Sequence, residues 1–140
     1  MQARRGELVD VLEGGSGLLA VDAAGSVVGL VTWVRDQDRA EIRAVAVAAS
    51  GRGRGIGRAL MRATTDALHS AGIRTAWLVT TNDNAPALRL YESLGYAVRG
   101  IRRGAVDELR RTIKPGIPLV GHAGVEMHDE LELTMELGTG

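Results

Sequence analysis

The chain has 140 residues, a length that suits one domain with a buried core. Its 17 basic and 17 acidic residues cancel, so the charge does not mark a nucleic-acid or membrane binder. The absence of cysteine excludes disulfides, zinc–thiolate sites and a cysteine nucleophile, and it fits a reducing compartment. No long apolar run follows Arg4 and Arg5, so we expect no signal peptide, no membrane span and, by elimination, a cytoplasmic protein.

The first third of the chain predicts a short helix followed by three strands. Apolar residues between 8 and 12 indicate one or two helical turns, ended by Gly14 and Gly15. Segments 18–22 and 26–35 predict a β-hairpin, since both are apolar and a small Gly-containing turn separates them. Strict alternation in the next strand, 39–48, predicts one face that carries the following side chains: Glu41, Arg43, Val45 and Val47.

The rest of the chain alternates between helical and extended patterns. Apolar spacing predicts a helix over 56–68 and a strand over 75–80, parallel to the strand before the helix because the helix crosses between them. A second helix follows Asn84, with Leu88, Tyr91 and Leu94 as its buried stripe. The remaining predicted elements are a strand at 96–102, a helix at 105–112, a loop at 115–124 and a last strand at 126–137, paired antiparallel with 96–102.

The segment 52–58, Arg-Gly-Arg-Gly-Ile-Gly-Arg, predicts an anion site. Its glycines let the backbone turn tightly and let a ligand come close. The helix that begins there directs free N–H groups and the positive end of its dipole at the turn, an arrangement that favours phosphate. No lysine is present for a P-loop, and arginine or leucine stands where a Rossmann loop needs its last glycine.

Two motifs carry a family resemblance. Arg52, Gly55 and Gly57 fit the pattern Arg/Gln-x-x-Gly-x-Gly/Ala between a strand and a helix. Segment 84–96 fits Asn-x-x-Ala-x-x-Leu-Tyr-x-x-x-Gly-aromatic, downstream and in the right order. The chain therefore resembles the GNAT superfamily of acyl-CoA-dependent N-acetyltransferases, most clearly from about Leu18 to Tyr96.

The resemblance implies an α/β fold with a mixed, mostly antiparallel sheet, a splayed parallel strand pair and helices on both faces, in a single domain over 1–140. It implies transfer of an acetyl group from acetyl-CoA to a primary amine by direct attack, through a tetrahedral intermediate and without a metal. Pantetheine would lie between the splayed strands, on the backbone of Val45 and Val47. The acceptor, a small molecule or a peptide, is not identified by the sequence.

The resemblance also assigns residues. The coenzyme-binding set is Val45, Ala46, Val47, Arg52, Gly53, Arg54, Gly55, Ile56, Gly57, Arg58, Asn84 and Tyr91. Tyr91 would protonate the departing thiolate, and a backbone N–H near Val45 would stabilise the oxyanion. Glu41 is the candidate base for the acceptor amine. An alternative role stays open for each of three residues. Tyr91 could serve only packing, Asn84 could be a helix cap, and Glu41 could form an ion pair with Arg43 or Arg39.

Several alternatives also stay open at this level. Family members usually place a strand and two helices before the first hairpin, and 16 residues cannot supply them. A second subunit could replace that wall of the acceptor pocket, a hypothesis that a monomer in sedimentation would oppose. A non-catalytic acyl-CoA-binding or regulatory module would keep the loop and lose the pocket. An Arg/Gly nucleic-acid loop is disfavoured by neutral charge and few aromatics. His122 could reach the acceptor mouth, whereas His128 is expected to be solvated.

Overall fold

Six strands and three α-helices follow one another in the computed structural model, which describes residues 15–49, 53 and 55–138. The elements are β1 (Gly15–Val21), β2 (Val27–Asp36), β3 (Arg39–Val47), α1 (Ile56–Ser70), β4 (Thr75–Thr81), α2 (Ala85–Ser93), β5 (Ala97–Arg102), α3 (Ala105–Thr112) and β6 (Glu130–Glu136). The helical turns predicted between 8 and 12 lie outside the described residues.

The strands form one mixed sheet in the order β1-β2-β3-β4-β6-β5. Only β3 and β4 run parallel among the described strands, and β5 pairs antiparallel with β6 as predicted. The mixed α/β fold class is therefore confirmed. The described chain divides into two compact units, one reaching Trp77 and including the C-terminal end from Glu136, the other comprising Leu78–Met135. The interpretation of residues 1–140 as a single domain stays a prediction.

The core of the first unit lies between α1 and the β1–β3 part of the sheet. One stripe of α1 is buried and consists of Ile56, Leu60, Met61, Thr64 and Leu68. The only polar member, Thr64, donates its hydroxyl to the Leu60 carbonyl oxygen at 2.8 Å, which satisfies it without a partner outside the helix. This spacing of three and four residues is the pattern that predicted the helix.

Gly29 marks the face of β2 that meets α1. A Cβ atom added to it would lie 2.8 Å from Leu60 Cδ1 and 3.0 Å from Ile56 Cγ2. The helix approaches the sheet here as closely as the missing side chain allows. By alternation, Val31 and Trp33 share this face of β2.

We expect Gly29→Ala to lower the free energy of unfolding by about 1–3 kcal/mol, since the added methyl overpacks a filled core. Gly100→Ala is the matched control on another strand, because its Cβ would meet Glu132 Cβ at an ordinary 3.8 Å. Alanine there should be neutral or stabilise by up to about 1 kcal/mol. Urea denaturation measures both, and equal stability of the two variants would contradict the close approach.

The last strand is shorter than predicted. It begins at Glu130, not at residue 126, although the alternation from 126 onward is regular. The backbone N–H groups of His128 and Asp129 donate to the Asn82 side-chain oxygen at 2.9 and 3.0 Å, and Met127 N–H donates to the Leu119 carbonyl. These groups are satisfied by a loop side chain and a loop carbonyl, so this part of the chain does not join the sheet.

Candidate active site

The turn before α1 has the backbone that the loop motif predicts. Gly53 and Gly55 have φ angles of +78° and +74°, in the left-handed region that favours glycine. A Cβ atom at either position would meet nothing within 4 Å, so open space lies over both. Arg52 and Arg54, assigned to the same loop, lie outside the described residues.

The N-terminus of α1 carries no side-chain cap. Gly55 is the N-cap, its carbonyl accepts from Ala59 N–H at 3.0 Å, and the first turn has no acidic residue. The N–H groups of Ile56, Gly57 and Arg58 precede the first intrahelical donor, so this turn leaves them available to an external acceptor. Open space, uncapped amides and the helix dipole together fit an anion at this turn.

The parallel pairing of β3 and β4 is short. Within the first unit it joins Arg39–Glu41 with Thr75–Trp77, and β3 continues to Val47. Ala48 N–H donates to the Val28 carbonyl of β2 at 2.8 Å. Because N–H groups alternate in direction along a strand, those of Val45 and Val47 point away from β2. That side of β3 could hydrogen-bond an extended ligand.

A β-bulge interrupts β3 at Arg43. Trp33 pairs with Ile42 and Thr32 with Ala44, so Arg43 is an extra residue with no partner in β2. A bulge leaves its extra residue outside the ladder and re-aims the side chains that follow. It lies two residues from the position where an oxyanion donor was expected.

The bulge corrects the predicted faces of β3. Val45 pairs with Val31 and Val47 with Gly29, which puts both valines on the α1 side of the sheet. Glu41 pairs with Val34 and therefore lies on the opposite face. The expectation that Glu41 shares a face with Val45 is wrong, because one extra residue inverts the alternation. After the bulge, Ala46 is on the face of Glu41.

A pocket of about 300 Å³ opens on the face that carries Glu41. Its lining is Val34, Asp36, Arg39, Glu41, Arg43 and Trp77. Glu41 accepts from Arg43 Nε at 2.8 Å, so the ion pair left open by the sequence is formed here. The Glu41 side chain remains 22% exposed, which leaves it accessible to a bound amine. The Arg39 guanidinium lies over the Trp77 ring, 5.7 Å from its centroid.

In the second unit, Asn84 caps α2 and Tyr91 lies within it. The Asn84 side-chain oxygen accepts from Ala87 N–H at 3.3 Å, so the capping role left open by the sequence is present. Burial raises the pKa of Tyr91, whose ring centroid lies 6.1 Å from that of Tyr96. The predicted stripe of Leu88, Tyr91 and Leu94 is half-buried rather than buried. A raised pKa keeps Tyr91 protonated at neutral pH.

His128 belongs to a polar cluster that the sequence did not reveal. Its Nδ1 lies 2.8 Å from Asp107 Oδ1 and its Nε2 lies 2.9 Å from Glu126 Oε1, while 38% of its side chain stays exposed, so His128 is in contact with solvent as expected and is also hydrogen-bonded. The hydrogen bond with Asp107 raises the pKa of His128, and the same bond lowers the pKa of Asp107. Arg110 also pairs with Asp107 at 2.8 Å. The cluster stabilises the fold while His128 is protonated, and this contribution is lost as pH rises through its raised pKa.

No sequence spacing could have indicated this cluster, since 21 residues separate Asp107 from His128. The side chain of His122 lies outside the described part of the structure. Among the described residues no set of three or more histidine, aspartate or glutamate side chains could hold a metal ion. Within the same residues, no helix has the length and apolar content needed to cross a membrane.

The sequence matches a known protein family. The profile of the Acetyltransferase (GNAT) family matches residues 3–96, more than half of the chain. The uncharacterized protein YxbD of Bacillus subtilis (strain 168) is 35% identical over 123 residues, which are 88% of this chain and 74% of that protein. Streptothricin acetyltransferase of Streptomyces lavendulae is 39% identical over 85 residues, 59% of this chain and 45% of that protein.

The fold has relatives among solved structures. A GNAT family acetyltransferase from Elizabethkingia anophelis, solved with acetyl-CoA bound, superposes with a TM-score of 0.77 at 24% identity. The match covers 89% of this chain and 77% of that chain, and at this identity it speaks for the fold. With a profile match over most of the chain and the same architecture, the protein belongs to the GNAT acetyltransferase family.

Proposed function

We propose that the protein is an N-acetyltransferase that transfers the acetyl group of acetyl-CoA to a primary amine. The observation that carries this proposal is the uncapped N-terminus of α1, entered through Gly53 and Gly55 in left-handed conformation directly after β3. A pyrophosphate is the ligand that such a turn suits best. Family membership supports the reaction class, and acetyl-CoA supplies an activated acyl group when bound.

In the first unit, the backbone would bind the coenzyme. The N–H groups of Ile56, Gly57 and Arg58 would receive the pyrophosphate, with the Arg52 and Arg54 side chains adding charge. The N–H groups of Val45 and Val47 would bind the pantetheine arm, and Ala46 would lie along it. A main-chain donor near the bulge at Arg43 would stabilise the oxyanion of the tetrahedral intermediate, a contribution of about 3 kcal/mol for one good donor.

In the second unit, Tyr91 would serve the leaving group. A thiol has a pKa of about 8.5 and a tyrosine of about 10, so full transfer of the proton is uphill and becomes more so as burial raises the pKa of Tyr91. A hydrogen bond that Tyr91 donates to the sulfur as negative charge develops is therefore its main contribution. Asn84 would contact the coenzyme beyond its capping role.

Glu41 would take the proton of the acceptor amine. An alkylamine has a pKa of about 10.4, so at neutral pH most of it is charged and cannot attack a carbonyl. Glu41 lies in the pocket with one oxygen on Arg43 and part of its side chain open to solvent. It could attract the ammonium group and accept its proton directly or through a water molecule.

A non-catalytic acyl-CoA-binding or regulatory module remains the second candidate, because Glu41 is already paired with Arg43. Release of free CoA thiol, measured over a panel of primary amines, separates the two. We expect turnover with at least one amine above the rate of hydrolysis. Tight binding of acetyl-CoA without turnover of any amine would favour the module.

Glu41→Gln should lower kcat/KM about 100-fold at pH 7, at the lower end of the range for general-base catalysis. Glutamine keeps an oxygen for Arg43, so the variant removes the base and leaves the hydrogen bond. The loss should shrink toward pH 9, since more of the amine is then neutral without help. Glu108→Gln, which changes an exposed ion pair with Arg111 on α3, is the control. A loss that is constant with pH would contradict the base assignment.

A further inference from the structure

We propose that the pocket around Glu41 takes an acceptor whose amine and a carboxylate belong to one small molecule, as in an α-amino acid. This inference rests on the proposed function, because it names the acceptor of the same site. Its basis is the pairing of charges in the pocket, where the guanidinium of Arg39 has no ion-pair partner among the described residues and lies near the candidate base, Glu41.

The pocket contains two cations and two anions. Arg43 is engaged with Glu41 at 2.8 Å. Arg39 contacts the Trp77 ring and has no carboxylate partner within 4 Å among the described residues. Asp36 pairs with Arg39 across the two strands by register, yet no ion pair joins their side chains. The pocket thus offers one open guanidinium and two carboxylates with free oxygens.

The contact of Arg39 with Trp77 leaves its guanidinium able to bind a carboxylate. Its central carbon lies 5.7 Å from the centroid of the Trp77 ring, and a guanidinium can bind a carboxylate through two parallel hydrogen bonds. The ring also restricts the side chain before a ligand arrives, so less conformational entropy is lost on binding. An arginine placed only for solubility would not need this support.

The spacing along β3 suits a short acceptor. Arg39 and Glu41 are two residues apart on one face, about 7 Å between their Cα atoms at 3.4 Å per residue. An amine and a carboxylate on the same carbon can reach these two groups at once, with a hydrogen bond of about 2.8 Å at each end. The pocket volume of about 300 Å³ lies at the small end of ligand sites, which run from about 300 to 1,000 Å³.

The charge balance disfavours two other acceptor classes. A polyamine needs an excess of negative groups, and here two arginines offset Asp36 and Glu41. A simple monoamine would fill the site but leave Arg39 without a counter-charge. A zwitterion matches the pocket with one group of each sign.

The test compares acceptors that differ only at the carboxylate. L-Leucine, L-leucinamide and isoamylamine form one series, and L-phenylalanine, L-phenylalaninamide and phenethylamine form another. Each is assayed for kcat/KM with acetyl-CoA, and its Kd is measured by calorimetry with CoA present. We expect each amino acid to exceed both analogues about tenfold or more in kcat/KM and in affinity. The amide loses its ammonium proton more readily than the amino acid does, so a preference for the amino acid over the amide runs against intrinsic reactivity. The alkylamine loses its proton less readily, so its comparison rests on the Kd.

Arg39→Gln should bring the ratio of kcat/KM for the amino acid to that for its analogue close to one. Arg62 is an exposed residue on α1, and Arg62→Gln should leave this ratio unchanged. Equal affinity for the three members of a series, or no binding of any of them, overturns the inference. Turnover without preference for the carboxylate overturns it and leaves the proposed activity intact. Preferential binding of the amino acids with no turnover supports the inference and overturns the proposed enzyme.

Discussion

Gly55→Glu should abolish measurable binding of coenzyme A, with the Kd raised at least about 100-fold. The substitution places a side chain in the open space over the turn and a negative charge where the pyrophosphate would lie. It also puts a carboxylate at the N-terminus of α1, where it can occupy the amides of Ile56 to Arg58 as a cap would. Calorimetric titration with CoA measures the effect directly.

Backbone strain must be separated from the loss of the anion site, since Gly55 has a φ of +74° and any side chain there costs about 1–2 kcal/mol. Gly72→Glu is the matched control. Gly72 lies just after α1 with a φ of +83°, and a Cβ atom there also meets nothing within 4 Å. Both variants should lose stability in thermal unfolding, Gly72→Glu more, because its carboxylate lies at the negative end of the helix dipole, and only Gly55→Glu should lose CoA binding. A folded Gly55→Glu protein with normal affinity would refute the coenzyme assignment.

Local chemistry explains why much of the fold could be predicted. The limits of α3, 105–112, agree with the prediction because Asp107 and Glu108 stand in its first turn and Arg110 and Arg111 in its last, where each complements the helix dipole. The turn before α1 could also be predicted from the sequence, because the left-handed backbone at residues 53 and 55 favours glycine, and both residues are glycine.

The geometry of the candidate site was harder to predict, because it depends on contacts between residues that are distant in sequence. The alternation from Glu41 to Val47 looks unbroken, and only the pairing with Thr32 and Trp33 of β2 reveals the extra residue at Arg43. This one residue decides which face of the sheet Glu41 shares with its neighbours. A bulge leaves no mark in a segment whose residues suit either face.

The role of Asn82 was hidden for the same reason. Its side-chain oxygen receives the N–H groups of His128 and Asp129, more than 40 residues away, and so sets where β6 begins. His128 then meets Asp107 of α3. A polar residue such as Asn82 predicts a turn from the sequence. It does not indicate which distant segment its side chain will hydrogen-bond.

Tyr91→Phe should lower kcat about 100-fold while leaving the Kd of CoA within about twofold. The change removes one hydroxyl and keeps the ring, so the half-buried packing of α2 and the contact with Tyr96 are retained. A loss of this size is at the lower end of general-acid effects, as expected where burial raises the pKa of the donor above that of the thiol it serves.

The neighbouring tyrosine provides the control for Tyr91. Tyr96 is 3% exposed and its ring tilts at 59° to that of Tyr91, so Tyr96→Phe removes a hydroxyl from the same aromatic pair. We expect Tyr96→Phe to change stability without the loss in kcat. The wild-type rate should also hold up to at least about pH 10, because burial moves the loss of the Tyr91 proton above the usual tyrosine pKa. Equal kcat values for wild type and Tyr91→Phe would show that another group donates the proton. A loss of CoA affinity in parallel with kcat would show that Tyr91 serves packing.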